Sequence, residues 1–362
     1  MMNNTMVGTL PIKPQDKTNI GMLIAPTVMD YIGTVLNIPR TMGINTLSTY
    51  DLRDQQEEIY LDSIKNGSIS YDSLFVDKKR VDELLEIVER LYHKEFLKVE
   101  YKDILRCECG KVDFLNGSLD GDLKLCEKIG DKYYCKLCHS ECKSYKEKSL
   151  VLTLDSDIDD SVSITPVMLT KEMKGFAKQY KGSEILVSKN RDTGYNVSGF
   201  NIDIDFLWMN FFNLIQQDNQ MLLASNHQLF YMYLMNYYSK LWSNKSLRFV
   251  ATPYVRGDLN AAMDRYNLID SDIYKKLFIL YNLQWGRKDC NWSEKVDEFL
   301  HKKSPQEMEL LYRSMIVASK NFSSNFSPDD MSRMLDRMLR GCTNMQENNA
   351  YMRQMRRNGV LW

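Results

Sequence analysis

The chain has 362 residues, 44% hydrophobic and 26% charged, so it is long enough for a large domain with insertions, and global disorder is excluded. Its 47 basic and 48 acidic side chains nearly cancel, which excludes the strongly basic field of a dedicated nucleic-acid-binding protein. We find no run of about 18 apolar residues and no N-terminal segment of the signal-peptide type. We therefore expect a cytoplasmic protein with no membrane partner.

The N-terminal segment predicts a βαβ unit. Thr5–Leu10 is a short apolar strand candidate, and Ile20–Met42 has helical apolar spacing that Pro39 should end or kink. Asn45–Tyr50 is rich in threonine and other strand formers and predicts the next strand. A strand, a crossover helix and a second strand imply a parallel sheet.

The rest of the chain alternates between strand-like and helical patterns. An amphipathic helix is predicted over 78–98, strands over 150–154, 185–188 and 248–252, two helices over 203–242, and a mostly helical region from Asp270 onward. Asp203 and Asp205, which alternate with isoleucines, suggest a strand with one face in solvent.

Six of the eight cysteines lie between residues 101 and 148. Two closely spaced pairs can converge on one tetrahedral zinc ion, and Gly110 after the first pair suits the turn of a zinc knuckle. The preferred ligands are Cys107, Cys109, Cys135 and Cys138, with Cys142 and His139 as substitutes and Cys126 as the remaining cysteine. A structural zinc that supplies folding energy to a module with little core is the favoured interpretation. An open catalytic zinc site and metal-free thiols are the alternatives.

Five segments in collinear order carry a family resemblance. They are Pro11–Met22, containing Asn19-Ile20-Gly21-Met22; Met42–Asn45, followed by Asp51; Ile185–Val197; Asp205–Trp208; and Leu223–Phe230. Over residues 5–285 this order resembles the catalytic domain of class I aminoacyl-tRNA synthetases of the methionyl type. In that family the connective insertion carries zinc knuckles at the place of the cysteine-rich module.

The resemblance implies an α/β fold. We expect a Rossmann-like (HUP-type) parallel sheet with an inserted zinc-ribbon-like module and a C-terminal α-helical region. The domain boundaries that follow are 1–77 and 151–269 for the two halves of the α/β domain, 78–150 for the insertion and 270–362 for the helical region.

The resemblance also implies two ATP-binding signatures, and both are altered here. The family has a His-Ile-Gly-His tetrad at a helix N-terminus, where the histidines donate hydrogen bonds to ATP. In this sequence Asn19 can donate, Gly21 is kept and Met22 cannot donate. The family's Lys-Met-Ser-Lys-Ser loop is replaced by Pro253–Asn260, in which Arg256 is the only cation. We expect Asn19, Gly21 and Arg256 to form what remains of an ATP site, with impaired adenylation. A helix-cap role for Asn19 and close packing for Gly21 are the alternatives.

By the same resemblance, the amino-acid pocket should be lined by Leu10, Asp51, Trp208 and His227. Asp51 can bind an α-ammonium group, or it is a solvated loop carboxylate. His227 can contact a ligand at the sheet edge, or it is a core residue. The run Phe206–Tyr238, rich in aromatic residues and methionine, is interpreted as core.

Three functional hypotheses follow. The first is a divergent ligase or transferase in a specialised pathway, which binds an amino acid or aminoacyl group. The second is a non-catalytic synthetase paralogue that binds such a group, tRNA or a protein partner. The third is a working aminoacyl-tRNA ligase with drifted signatures. A pocket filled by Met22 and Trp208 would exclude the first and the third.

Overall fold

The computed structural model describes residues 5–15, 17–47, 54–115, 125–155, 162–189, 194–214, 220–243, 247–285, 287–323, 331–343 and 357. The strands, in chain order, are β1 (Met6–Thr9), β2 (Arg40–Ile44), β3 (Ser73–Val76), β4 (Leu97–Arg106), β5 (Val112–Phe114), β6 (Cys126–Ile129), β7 (Lys132–Cys135), β8 (Lys143–Thr153), β9 (Ser163–Thr165), β10 (Glu184–Leu186), β11 (Tyr195–Val197), β12 (Phe200–Ile202), β13 (Gln220–Ser225), β14 (Arg248–Thr252), β15 (Tyr254–Arg256) and β16 (Asp289–Asn291). The helices are α1 (Gly21–Leu36), α2 (Asp54–Asn66), α3 (Val81–His93), α4 (Thr170–Gln179), α5 (Ile204–Met209), α6 (Leu229–Ser243), α7 (Leu259–Asn267), α8 (Asp272–Asn282), α9 (Glu294–His301), α10 (Pro305–Ser323) and α11 (Met331–Thr343).

A parallel sheet of six strands forms the centre of the molecule, in the order β3-β2-β1-β13-β14-β9. Along β13, Met221 and Leu223 belong to one buried core, and Leu222 and Ala224 belong to the other. The sheet is therefore covered on both faces, as parallel sheets require. The strand order reverses direction between β1 and β13, which places a ligand-binding crevice at their carboxyl ends. The expected Rossmann-like sheet is confirmed.

The first βαβ unit is present, but two of its boundaries differ from the prediction. Helix α1 ends at Leu36, because Asn37 adopts a left-handed conformation with φ 53° and its N–H bonds to the carbonyl of Gly33. Pro39 then starts an extended segment, and the next strand is Arg40–Ile44 rather than Asn45–Tyr50. The predicted helical stretch to Met42 was wrong, since residues 40–44 pair with both β1 and β3.

A separate antiparallel sheet, in the order β10-β8-β4-β5, follows α3. Its long β4–β8 ladder joins ten residue pairs, from Leu97–Leu152 to Arg106–Lys143. The β6–β7 hairpin lies beyond the far end of this ladder and pairs Cys126 with Cys135. The ladder thus links the cysteine-rich hairpin to the main core, which contains Leu97 and Leu152.

The segment 203–242 holds the largest departure from the predicted elements. Two helices were expected, but Gln220–Ser225 is a buried strand at the centre of the parallel sheet. The segment Asp205–Trp208, which the family resemblance aligns with a strand, lies in helix α5. Asp203 precedes this helix, is buried, and pairs with Lys189 Nζ at 2.6 Å instead of facing solvent. The strand predicted at Arg248–Thr252 is confirmed.

Among the residues after 270 that the structure describes, most belong to helices α8 to α11, as the sequence predicted, and β16 is a short strand between α8 and α9. They cover the face of the sheet on which α1 lies, and α1, α8, α10 and α11 share one apolar core. Among the described helices, none is long and apolar enough to cross a membrane.

Candidate functional site

An open cleft of about 690 Å³ lies at the carboxyl ends of β1 and β13, where the strand order reverses. This volume is within the range of small-molecule binding sites, which are typically 300–1,000 Å³. Five of the residues predicted to form a site line this single cleft: Leu10, Asn19, Gly21, Trp208 and His227. Met22 and Trp208 belong to its walls and do not fill it.

The inner wall of the cleft is aromatic and apolar. Trp208 on α5 is buried, and its indole N–H donates to the carbonyl of Pro11 at 3.2 Å. Tyr231 on α6 meets the Trp208 ring edge to face, with centroids 6.1 Å apart. Leu10 extends β1 into the cleft and is buried. The hydrogen bond and the ring contact fix the indole, so this wall is formed before any ligand arrives.

The start of α1 forms the opposite wall. Ile20 precedes the first residue of α1 and has helical backbone angles, and no side-chain hydrogen bond caps the helix at this position. Asn19 lines the cleft, and its backbone carbonyl accepts from the N–H of Met22 at 3.1 Å. A side chain at Gly21 would place its Cβ 3.0 Å from Asn19 Oδ1 and 3.3 Å from Leu259. Glycine therefore allows Asn19 and Leu259 to pack closely against the start of the helix, as the close-packing alternative for Gly21 expects.

His227 follows β13 and lies at the rim. It is exposed, so the core role considered for it was wrong. Its ring stacks on that of Tyr254, with centroids 5.2 Å apart and an interplanar angle of 30°. Both rings line the cleft and also a second cleft of about 520 Å³ on their other side. Arg256 lines that second cleft, where it pairs with Asp289 at 2.6 Å.

Several cleft residues were not singled out from the sequence. Asn45, Tyr231, Tyr254, Lys13 and Lys111 all line it. The first three belong to loops or elements whose position depends on long-range pairing, and no local pattern marks them. Asp51, which was predicted for the amino-acid pocket, lies outside the described residues.

Four cysteine sulfurs form a compact cluster at the end of the β4–β8 ladder. The Sγ atoms of Cys107, Cys109, Cys135 and Cys138 all lie within 4.8 Å of one another. Cys107 is 3.2 Å from Cys138, and Cys109 is 3.6 Å from Cys135. A tetrahedral zinc ion with Zn–S bonds of 2.3 Å separates its sulfurs by about 3.8 Å, so this set fits zinc. A hydrogen bond from the Ser140 backbone lowers the pKa of Cys138 to about 6, whereas burial raises the pKa of Cys107 and raises that of Cys109 to about 12.

The predicted substitute ligands, Cys142 and His139, are not members of this group of four. Cys142 and Cys126 face each other with their sulfurs 3.4 Å apart, and both are buried. His139 has a left-handed backbone with φ 60° and is exposed. Among the described residues of the module, the small core around these sulfurs contains Leu105, Leu115 and Tyr133 besides the cysteines.

No protein-family model matches the sequence, and no curated protein does. Solved structures do match. Mycobacterium tuberculosis methionyl-tRNA synthetase bound by methionyl-adenylate gives a TM-score of 0.68 at 10% identity, covering 96% of this chain and 81% of that chain. The same enzyme in its apo form gives 0.70 at 11% identity, covering 98% and 80%. The fold of this chain is therefore similar to that of methionyl-tRNA synthetase.

In this synthetase-like fold, the loop after β2 borders the cleft at Asn45 and is held by a buried carboxylate. Asp77 Oδ1 accepts from the backbone N–H groups of Thr46, Leu47 and Lys78, at 2.8, 3.2 and 2.7 Å. Burial raises the Asp77 pKa from 3.8 to about 6, more than these hydrogen bonds lower it. The other oxygen, Oδ2, is buried without a hydrogen-bond partner among the described residues.

The raised Asp77 pKa gives a prediction about pH. Because the folded pKa exceeds the unfolded value, the contribution of Asp77 to stability is fully present below about pH 4 and is lost as pH rises through about 6. Asp77→Asn keeps the Oδ1 acceptor and removes the buried charge. We expect the variant to be more stable than the wild type at pH 7.5 by roughly 2–3 kcal/mol, with no difference near pH 4. Urea unfolding across this range measures the difference.

The exposed Asp264, which pairs with Lys17, provides the control. Asp264→Asn removes an exposed surface carboxylate and should change the free energy of unfolding by no more than about 0.5 kcal/mol. If the difference in the free energy of unfolding between Asp77→Asn and the wild type does not change with pH, the raised pKa of Asp77 is contradicted.

Proposed function

We propose that this chain is a class I aminoacyl-tRNA-synthetase-like protein that binds an amino acid or aminoacyl group in the cleft between β1 and β13. We infer further that it is a divergent ligase or transferase of a specialised pathway, with impaired ATP-dependent adenylation. The observation that carries the proposal is the open cleft of about 690 Å³, which has an aromatic wall on one side and the start of helix α1 on the other.

The chemistry of the two walls supports an aminoacyl-nucleotide ligand. The buried wall of Leu10, Trp208 and Tyr231 suits an apolar side chain. The aromatic rings of His227 and Tyr254, which both line the cleft, offer ring faces for a base, because stacking is favourable for any base. The matching solved structures include two described as bound to, or in complex with, methionyl-adenylate. This chain therefore combines a fold similar to theirs with a cleft whose volume and lining suit an aminoacyl-nucleotide ligand.

The same residues support slow adenylation. In that reaction a carboxylate oxygen of the amino acid attacks the α-phosphorus of ATP and pyrophosphate leaves, so donors around the phosphates stabilise the transition state. Met22 has a thioether at the helix start and cannot donate. Arg256 faces the second cleft and is paired with Asp289. Loss of one preorganised donor costs on the order of a hundredfold in rate, and two positions are affected here.

The proposed ligand is an amino acid or aminoacyl group, and we propose that ATP use is reduced. tRNA and a protein partner are further candidate partners. We propose a cytoplasmic location and a structural zinc in the cysteine cluster. The second candidate function is a non-catalytic paralogue that acts by binding, and the observation favouring it is the change at Met22 together with the pairing of Arg256. A working aminoacyl-tRNA ligase with drifted signatures is the third.

Two measurements on the purified protein test the proposal. Calorimetric titration with a non-hydrolysable methionyl-adenylate analogue should show binding. ATP–pyrophosphate exchange, assayed with each standard amino acid, should be undetectable or very slow. Tyr231→Ala should weaken analogue binding about tenfold or more, because Tyr231 lines the cleft. Phe230→Ala is the matched control, since Phe230 is the preceding residue and lines the second cleft.

The outcomes separate the hypotheses. Rapid exchange with one amino acid would overturn impaired adenylation and favour the drifted ligase. No binding of the analogue by folded protein would overturn the aminoacyl site and favour a protein that acts through a partner. Equal losses for Tyr231→Ala and Phe230→Ala would place the ligand outside this cleft.

A further inference from the structure

Lys111 connects the cysteine module to the cleft. Among the described residues of the insertion 78–150, Lys111 is the only one that lines the cleft. The other described residues that line the cleft come from the parallel-sheet domain and its loops. It lies immediately after the turn that holds Cys107 and Cys109. The module that would hold zinc thus also places a cation in the cleft at β1 and β13, two strands that lie far from Lys111 in the sequence.

The turn of residues 107–110, called the knuckle below, and strand β5 hold the backbone of Lys111 on both sides. The N–H of Cys107 donates to the carbonyl of Lys111 at 2.9 Å, and the N–H of Gly110 donates to the carbonyl of Cys107 at 3.0 Å. Gly110 has φ +83°, a conformation that favours glycine, and nothing occupies the space beside it. Val112 is buried and pairs with Arg106 across β4 and β5. A metal ion on Cys107 and Cys109 would therefore restrain Lys111 directly.

The charges around the cleft explain what Lys111 can bind. Among the described residues that line the cleft, Lys13, Lys111 and Asp205 have side chains that are normally charged at neutral pH. Lys111 is half-buried and forms no ion pair with any residue that the structure describes. Arg256, the cation in the segment that replaces the family's lysine loop, is paired with Asp289 and lines the other cleft. Lys111 is thus a cation available to an anionic group in the main cleft.

We propose that Lys111 binds the phosphate group of the nucleotide or adenylate ligand, and that zinc in the cysteine cluster strengthens ligand binding by holding Lys111 in place. This inference rests on the proposed aminoacyl-nucleotide site. Because coupling between two sites is reciprocal, the phosphate-bearing ligand must also strengthen zinc binding.

The first test compares ligands with and without phosphate. Calorimetric titration of the zinc-loaded protein with ATP and with adenosine is made for the wild type, Lys111→Ala and Lys98→Ala. Lys111→Ala should bind ATP about tenfold more weakly, the range for one charged hydrogen bond, and adenosine equally well. Lys98, exposed on β4 and not part of the cleft, is the matched control. Zinc content is measured for each variant to confirm that the cluster is intact.

The outcomes distinguish this inference from the proposed function. Equal ATP affinity in Lys111→Ala and the wild type, with adenosine bound by both, would overturn the role of Lys111 and leave the cleft as a nucleotide site. A wild type that binds neither ATP nor adenosine would overturn both.

The second test measures the coupling itself. Zinc release to a chromogenic chelator is followed with and without saturating ATP. ATP should slow release several-fold in the wild type and in Lys98→Ala, and have no effect in Lys111→Ala. The same slowing in Lys111→Ala would overturn the coupling through Lys111.

Discussion

Cys135→Ser is expected to abolish zinc retention and unfold the β6–β7 hairpin while the parallel sheet stays folded. Cys135 is fully buried at the centre of the cluster, and the apolar core of the module consists largely of cysteines. Structural zinc contributes about 10–16 kcal/mol of apparent binding energy in small zinc peptides, far more than this small core can replace. Zinc analysis and hydrogen exchange over residues 125–143 measure the two effects.

Two controls accompany this variant. Cys290→Ser removes a buried thiol in β16, outside the module, and should leave zinc content unchanged. The double variant Cys126→Ser/Cys142→Ser removes the neighbouring sulfur pair and should retain one zinc per chain, because the other four cysteines form the tetrahedral set. Normal zinc content in Cys135→Ser, or loss of zinc in the Cys126 and Cys142 variant, would show that the ligand set is different.

The cysteine cluster shows which part of the site could be predicted from the sequence. Ligand spacing is a local property, since two short turns bring each pair together, and the four preferred cysteines are those that converge. Strand β14 was equally predictable, because Arg248–Thr252 is short, rich in strand formers and followed by proline. In both cases the information lies within a few residues.

Strand β13 shows why the centre of the sheet was missed. Gln220–Ser225 is buried on both faces, so its apolar run has no alternation, and periodicity does not separate such a strand from a buried helix. The neighbouring helices then suggested that the helical pattern continued. Once β13 is placed, the order reversal beside β1 identifies the cleft, which the sequence alone had located only through the family resemblance.

The cations of the site depend on contacts between distant parts of the chain. Arg256 was the only cation near the expected lysine loop, yet its partner Asp289 lies 33 residues further on and beside the second cleft. Lys111 reaches the main cleft only because the β4–β8 ladder carries the knuckle there. Neither placement follows from local propensity or spacing.

The helix that borders the cleft is itself held by a buried carboxylate between two cations. Asp30, midway along α1, has a side chain only 2% exposed. Its Oδ1 lies 3.0 Å from Arg40 on β2, and its Oδ2 lies 2.7 Å from Lys276 on α8. Arg40 also donates to Asp72 through Nε at 3.0 Å. This cluster therefore ties α1 to the sheet and to the C-terminal helical region.

Arg40→Met is expected to lower the free energy of unfolding by roughly 2–4 kcal/mol, less than for a fully buried pair because Arg40 is 21% exposed. The loss arises because Asp30 stays buried with one cation fewer. Arg80→Met, which breaks a more exposed pair with Glu83, is the control and should cost at most about 1 kcal/mol. Asp30→Asn in the Arg40→Met background should recover part of the loss, since it removes the uncompensated charge. Urea unfolding of the four proteins measures these differences, and an Arg40→Met cost no larger than that of Arg80→Met would show that the cluster does not stabilise α1.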